Sequence, residues 1–360
     1  MLKLIPTLQL LIAFQCLFFV GFLIVGNRLY FLSNRVLCCL LIVLGLHMTL
    51  NLINTVYPAR LGSGISIMFG FCYGPLLYTY TRSLAFKDYK LHSKIAWHTA
   101  PALIALTLTY FVKMHIFVYA FSIFASLAIY AYLSQKLLVK YRAVLRQTRS
   151  EYDAIALNWL SNLLLIQIGL LALNVGSTVL YIAEMKTGGL RAEVALFLGL
   201  LLLVNFIVYN GLLHPNLFAG ISRDEEALAN SITELSPSIL SDRDAVELFA
   251  QIEAHMAKYQ PYLSPELTVK SLGRQLLTTQ RSISQAINIA GKKNFSEYVN
   301  EHRVRYAQDL LRRDTEHKIS ILDVMLQSGF NTKSNFNRSF KVTSNMTPIA
   351  YRQQCFETKK

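Results

Sequence analysis

QRSISQAINIA, residues 280–290, and SGFNTKSNFNRSFK, residues 328–341, decide how the last hundred residues are read, because each follows a short apolar helix pattern and a turn. Ahead of the first, Leu267, Leu272 and Leu276 make a stripe at helical spacing that breaks at Thr278-Thr279-Gln280. Ile283 and Ile287 then face inward on a second helix. The second stretch repeats the plan with Ile321, Val324 and Leu326, a Ser328-Gly329 turn, and a helix that buries Phe336 and Phe340. The pattern predicts two helix-turn-helix units in tandem.

The joining segment supports this. A helix starting near Asn294 is capped by that side chain, with Glu297 placed to close a capping box, and runs to about Arg313. Such a helix is roughly 30 Å long, close to the ~34 Å between successive major grooves on one face of a duplex. One chain can therefore present two recognition helices to one face of DNA. Ser264-Pro265, Ser320 with Asp323, and Thr347-Pro348 are expected to open the remaining helices.

Charge divides the chain in three. Residues 1–213 carry a net +11, residues 214–260 a net −5 and residues 261–360 a net +8, which together give +14. A basic C-terminal segment suits phosphate, since lysine and arginine displace condensed counterions from nucleic acid. The N-terminal excess has another origin. From Leu4 to about Leu213 long apolar stretches alternate with short charged loops, near 4–26, 36–57, 62–83, 95–112, 115–138, 156–183 and 191–213, and each approaches the ~20 residues a bilayer helix needs. The fourth is the weakest, being short and bounded by His98, Pro101 and Lys113. The first is too long and lacks the small-residue site of a cleaved signal peptide.

Loop charge sets an orientation. With seven spans and the C-terminal segment in the cytoplasm, the N-terminus lies outside. Inside loops then hold eleven basic residues, among them Arg82, Lys87, Lys90, Lys94, Lys136, Lys140, Arg142, Arg146 and Arg149, and outside loops hold five: Lys3, Arg60, Lys113, Lys186 and Arg191. The expected architecture is all-α: a seven-helix membrane domain over 1–213, an acidic linker over 214–260, and a DNA-binding domain over 261–360. Within the linker, residues 242–259 form an amphipathic helix pattern with Val246, Phe249, Ile252 and Met256 on one side. That stripe pairs with a second copy in a homodimer or packs against the chain's own DNA-binding module.

Polar residues inside apolar spans are costly, so Gln15, His47, Asn51, Asn54, Asn158, Asn162, Gln167, Asn174 and Asn205 are expected to face the bundle interior. Gln15, His47, Asn51, Gln167, Asn174 and Asn205 are the candidate lining of a pocket for a small-molecule or membrane-derived signal. The alternative is that they only hydrogen-bond neighbouring helices. Gly70, Gly74 and Pro75 kink the third span or let a neighbour approach closely. Cys16, Cys38, Cys39, Cys72 and Cys355 show no metal-ligand or redox spacing, and no phosphate-binding glycine loop, HExxH or nucleophile elbow occurs. No metal, cofactor or enzymatic activity is expected.

On the first recognition helix the side expected to face solvent presents Arg281, Ser284 and Gln285; on the second it presents Lys333, Ser334, Asn337 and Arg338. Arginine suits guanine edges and asparagine or glutamine suits adenine, while any of them can hold phosphate instead. Lys292, Lys293, Lys341 and Arg352 are candidate phosphate contacts or plain solvated surface.

The run LTVKSLGRQLL, SISQAIN, NFSEYVNEHRV, ILDVMLQSGFNTKSNFNRSFK and MTPIAYR resembles the AraC/XylS family of bacterial transcription regulators over about residues 261–353, a little over a quarter of the chain. Gly273 and Met325 stand where that family usually has a small alanine, Ser328 replaces an apolar residue, and Asn345 stands where glycine is usual. Arg303 matches a position usually held by arginine and is expected to buttress the two units. The resemblance implies promoter regulation, more often activation. The expectation is thus a membrane-bound one-component regulator in the cytoplasmic (inner) membrane of a bacterium, with double-stranded DNA and membrane lipid as partners. Its rivals are a receptor or transporter whose C-terminal module binds protein, and a membrane enzyme.

Overall fold

The structure, a computed structural model, describes residues 4–357 apart from 27, 58–63, 92–95, 112–115, 152–155, 183–185, 214–219, 223, 229–239 and 315–317. Lys3, Arg60, Lys94, Lys113, the side chain of Lys186, and most of the linker breaks therefore lie outside the described residues. The chain forms two compact units. The first comprises residues 1–139 and 157–220, the second residues 140–156 and 221–360. These units are drawn differently from the sequence segments: residues 140–156, which begin with the end of the helix Ile116–Thr148, and the helix at 242–259 both belong with the C-terminal module.

The first unit is built from α1 (Leu4–Val25), α2 (Leu32–Val56), α3 (Gly64–Ala85), α4 (Ala96–Phe111), the first two-thirds of α5 (Ile116–Thr148), α6 (Asn158–Ile182) and α7 (Lys186–Leu213). Among the described residues five helices are long and apolar enough to cross a membrane, namely α1, α2, α5, α6 and α7. α3, with its glycines, threonines and tyrosines, and α4, of 16 residues, are not among them. The surfaces agree with an apolar solvent. α1 buries Leu8, Ile12 and Cys16 on one side, yet leaves Phe14 65 % and Leu17 62 % exposed on the other. A helix apolar all round belongs in a core or in lipid. Close approach explains two glycines of α3: a Cβ on Gly74 would lie 2.6 Å from the Tyr130 ring, and one on Gly70 2.7 Å from Ile123. Gln135 and Ser161 exchange two hydrogen bonds that tie α5 to α6.

The second unit contains α8 (Asp242–Tyr259), α9 (Val269–Gln275), α10 (Gln280–Ile289), α11 (Phe295–Arg313), α12 (Ile321–Gln327), α13 (Lys333–Ser344) and α14 (Pro348–Glu357). Its helices begin where capping chemistry dictates. Asn294 Oδ1 accepts from the Glu297 amide at 2.9 Å while Glu297 Oε2 accepts from the Asn294 amide at 3.1 Å, closing the expected capping box. Ser320 caps α12 as expected. α9 starts later than Ser264-Pro265 implies: residues 261–263 make a short 3₁₀ turn, and Thr268 caps α9 in a box with Ser271. Two cores result. One gathers Leu267, Leu272, Ile283, Ile287 and Val299 with Ile252 and Met256 of α8; the other gathers Val304, Val324, Met325, Phe330, Phe336 and Phe340. The apolar stripe of α8 is thus spent on its own module, and Val246 lies outside it, exposed.

Candidate nucleic-acid interface

Each pair of short helices is joined by a tight turn that its sequence requires. At Gly273 an added Cβ would sit 2.9 Å from the Thr278 carbonyl, so the turn rests directly on the glycine of α9. In the second pair Gly329 has φ +85°, open to glycine and strained for others, and Asn345 ends α13 in the left-handed region at φ 57°. Met325 is accommodated in the second core, and the buried Ser328 hydroxyl donates to the Val324 carbonyl at 2.7 Å. Both departures from the family pattern are absorbed without an orphaned group.

α13 presents the surface expected of it. Lys333, Ser334, Asn337, Arg338 and Lys341 are exposed, while Phe336 and Phe340 are buried beneath. The phosphate candidates divide. Lys292 and Lys341 are solvated, and Lys293 is ion-paired with Glu301. Arg352 is turned inward: its Nη2 donates to the Ile319 carbonyl at 2.6 Å, which makes it a brace for the loop before α12.

α10 differs from the expectation. Ser284 is 1 % and Gln285 7 % exposed, so neither faces solvent in this conformation, and the Ser284 hydroxyl has no hydrogen-bond partner among the described residues. Arg281, at the start of the helix, borders a groove with Asp224, Leu228, Lys270 and Arg274. Near its end Asn288 Nδ2 donates to Gln147 Oε1 at 3.4 Å. Side chains on residues 140–151 and 221–228, both remote in sequence, therefore reach the helix the pattern had left open.

The two pairs are joined through one buried guanidinium. Arg303 of α11 is fully buried; its Nε donates to the Tyr262 carbonyl at 2.7 Å and its Nη2 to the Ser264 carbonyl at 2.8 Å. Nη1 donates to Glu151 Oε1 at 2.8 Å, and the same oxygen accepts from Asn335 Nδ2 of α13 at 2.8 Å. Asn335 Oδ1 accepts in turn from Arg338 Nη2 at 3.0 Å. Burial pushes the Arg303 guanidinium down to about 10, opposed by the neighbouring Glu151 carboxylate, and it remains charged at neutral pH. Arg303 does buttress the two pairs, but it needs Glu151 to do so. No motif surrounds Glu151 in the sequence; the available signal is that it and Asp153 are acids at the end of a basic stretch.

In the first unit, four of the six residues expected around a signal pocket meet. His47, Asn51, Gln167 and Asn174 line one cavity of about 500 Å³ with a largely apolar wall. His47 Nδ1 is hydrogen-bonded to the Tyr73 hydroxyl at 2.7 Å, and Gln167 Oε1 is buried with no partner among the described residues. Gln15 lies elsewhere. Asn205 faces outward and donates to the Leu201 carbonyl of its own helix at 2.9 Å, and Asn158 and Asn162 are also exposed, so these three do not face the bundle interior. Back-bonding satisfies the Asn205 amide without a neighbour. No group of three or more metal-ligating side chains occurs among the described residues.

Two short-helix pairs, each with a tight turn and linked by a capped 19-residue helix, define a tandem helix-turn-helix module, the kind by which transcription regulators bind DNA. Comparison with known proteins agrees: the family described as a helix-turn-helix domain matches residues 272–354, from α9 to α14, and supports the AraC-type reading of this module. No curated protein and no solved structure matches the chain.

Proposed function

We propose that the chain is a membrane-bound, one-component transcription regulator of a bacterium, in which the five long apolar helices cross the inner membrane, the less apolar α3 and α4 complete seven spans, and the second unit binds promoter DNA in the cytoplasm. One observation carries the reading: residues 140–151, which lead into α6, are packed into the same unit as the helix-turn-helix pairs. Between residue 156 and residue 221 the chain runs out and back through α6 and α7, so residues 140–151 and the C-terminal module share one side. That is the side the positive loops assign to the cytoplasm. Seven spans then place the N-terminus outside. The cavity holding His47, Asn51, Gln167 and Asn174 takes the signal, a mainly apolar molecule with one or two hydrogen-bonding groups that answer the Gln167 carbonyl and the His47–Tyr73 pair. Its binding is read out as promoter activation, and no catalysis is assigned.

The test uses the full chain. A cytoplasm-dependent reporter fused after Glu357 should be active and one fused after Met185 inactive. The protein in membranes should bind duplex DNA with a steep loss of affinity as salt rises. Activity of the Met185 fusion, or binding indifferent to salt, would refute the proposal.

A further inference from the structure

We propose that residues 140–151 and 221–228 form a cover over the first recognition helix, and that the structure is a closed state in which α10 is withheld from DNA while α13 is not. On a helix Arg281, Ser284, Gln285 and Asn288 share one face, being three or four residues apart. Residues of the two segments stand at both ends of that face. Arg281 shares its groove with Asp224 and Leu228, and Leu228 is buried in the same core as Ile283 and Ile287. Asn288 is hydrogen-bonded to Gln147. Ser284 and Gln285, between these ends, are buried, and a base edge has no access to them. The corresponding face of α13 is open.

The two pieces of the cover are bound to each other and to the module. Arg149 makes a bidentate pair with Glu225 at 3.0 and 3.2 Å, and Lys140 pairs with Glu226 at 2.8 Å. The Ser150 amide donates to the Leu267 carbonyl at 3.3 Å, Ser296 Oγ donates to the Ser150 carbonyl at 3.2 Å, and Glu151 bridges Arg303 and Asn335. Asp224 lines the same groove as Lys270, Arg274 and Arg281, which sets a carboxylate in one groove with cations suited to phosphate. The buried Ser284 hydroxyl has no hydrogen-bond partner among the described residues, and opening would give it water. This inference rests on the DNA-binding reading for its purpose but not for its geometry.

The full chain in phosphatidylglycerol-containing nanodiscs tests it. Ser284→Cys, Ser334→Cys and Ser339→Cys are introduced singly, and their labelling by a charged maleimide is followed by mass spectrometry of the corresponding peptides. Ser284→Cys should label more slowly than the exposed Ser334→Cys. Arg149→Glu or Glu225→Arg should each speed Ser284→Cys by about tenfold, as expected for loss of a bidentate pair, and the Arg149→Glu/Glu225→Arg exchange should restore slow labelling. Ser339→Cys, buried on the far side of α13, should stay slow throughout; acceleration there would mean general unfolding and would overturn the proposal. The milder Lys140→Ala should raise the Ser284→Cys rate in the same direction. Fast labelling of Ser284→Cys in the parent, or rates unmoved by the single changes, would also overturn it. Duplex affinity measured in parallel should rise in the single variants and return in the exchange. A chain that bound no duplex at all, with labelling as expected, would sink the regulator reading and leave the cover standing.

Discussion

Glu151→Ala removes the counter-charge of a guanidinium that is 0 % exposed, from a carboxylate whose own side chain is 6 % exposed. Breaking a buried pair from one side costs about 3–5 kcal/mol, because the remaining charge is left in a medium that does not solvate it. The Asn335 amide loses its acceptor in the same step, a penalty of about 1–3 kcal/mol when taken alone. The two losses share one oxygen and do not add, so about 3–5 kcal/mol is expected in all, or about 10 °C for a unit near 150 residues. Glu151→Gln keeps an acceptor for Arg303 and Asn335 and should fall between parent and alanine. Hydrogen exchange of amides in α11 and α13 of the full chain reads the opening free energy directly. Lys293→Ala supplies the scale, since its pair with Glu301 is partly exposed and worth under about 1 kcal/mol. Raising salt should diminish the Lys293 effect and leave the Glu151 effect in place. If Glu151→Ala cost no more than Lys293→Ala, the loop would be resting on the module and not holding it together.

Arg338→Ala should relax base preference on the α13 side of the site by about 1–3 kcal/mol, whereas Lys341→Ala should weaken all sequences alike and flatten the salt dependence by about one unit of slope; selection of randomised duplexes by the full chain separates the two. Gly74→Leu forces side-chain atoms into the Tyr130 ring, 2.6 Å from the position of the first added carbon, and should cost about 1–3 kcal/mol in resistance of the first unit to thermal unfolding. His302 is stacked on Tyr262, and burial lowers its pKa below the ordinary 6.5, an effect Glu253 only partly offsets. Protons then bind the unfolded chain in preference, so stability of the second unit should fall as pH drops through the ordinary histidine range. His302→Gln should remove that part of the acid sensitivity in a pH series of exchange measurements.

What the sequence made legible was whatever is encoded by near neighbours. The capping box at Asn294, the left-handed Asn345, the paired isoleucines of α10 and phenylalanines of α13 all follow from spacings of a few residues, and they placed the two helix pairs correctly. α8 was legible as an amphipathic helix, though its partner was not, and Val246 fell outside the stripe because the buried arc is narrower than the periodicity alone implies. The polar residues of the spans split in the same way. Four converge on one cavity, while Asn205 satisfies itself on its own helix, an option that a pattern of apolar residues does not reveal. The burial of Ser284 and Gln285 is not legible locally, because the cover comes from residues more than a hundred positions earlier and from the start of the acidic linker. No periodicity connects Gln147 to Asn288 or Glu151 to Arg303. Such contacts are long-range choices of the folded chain.

The separation between Glu151 and Asn335, 184 residues, also sets an order of events during synthesis. At about 5–20 residues per second, roughly 10–40 s pass between the making of the carboxylate and the making of the amide that it binds. On the proposed topology α6 and α7 are produced and inserted in that interval, and together they return the chain to the side where Glu151 lies. A nascent C-terminal segment that emerged on the wrong side, or before α5 was placed, would fold around an arginine with no anion to meet it. If the apolar helices span a membrane as proposed, the second unit is finished only after they have been threaded, and its assembly would act as a check on that topology.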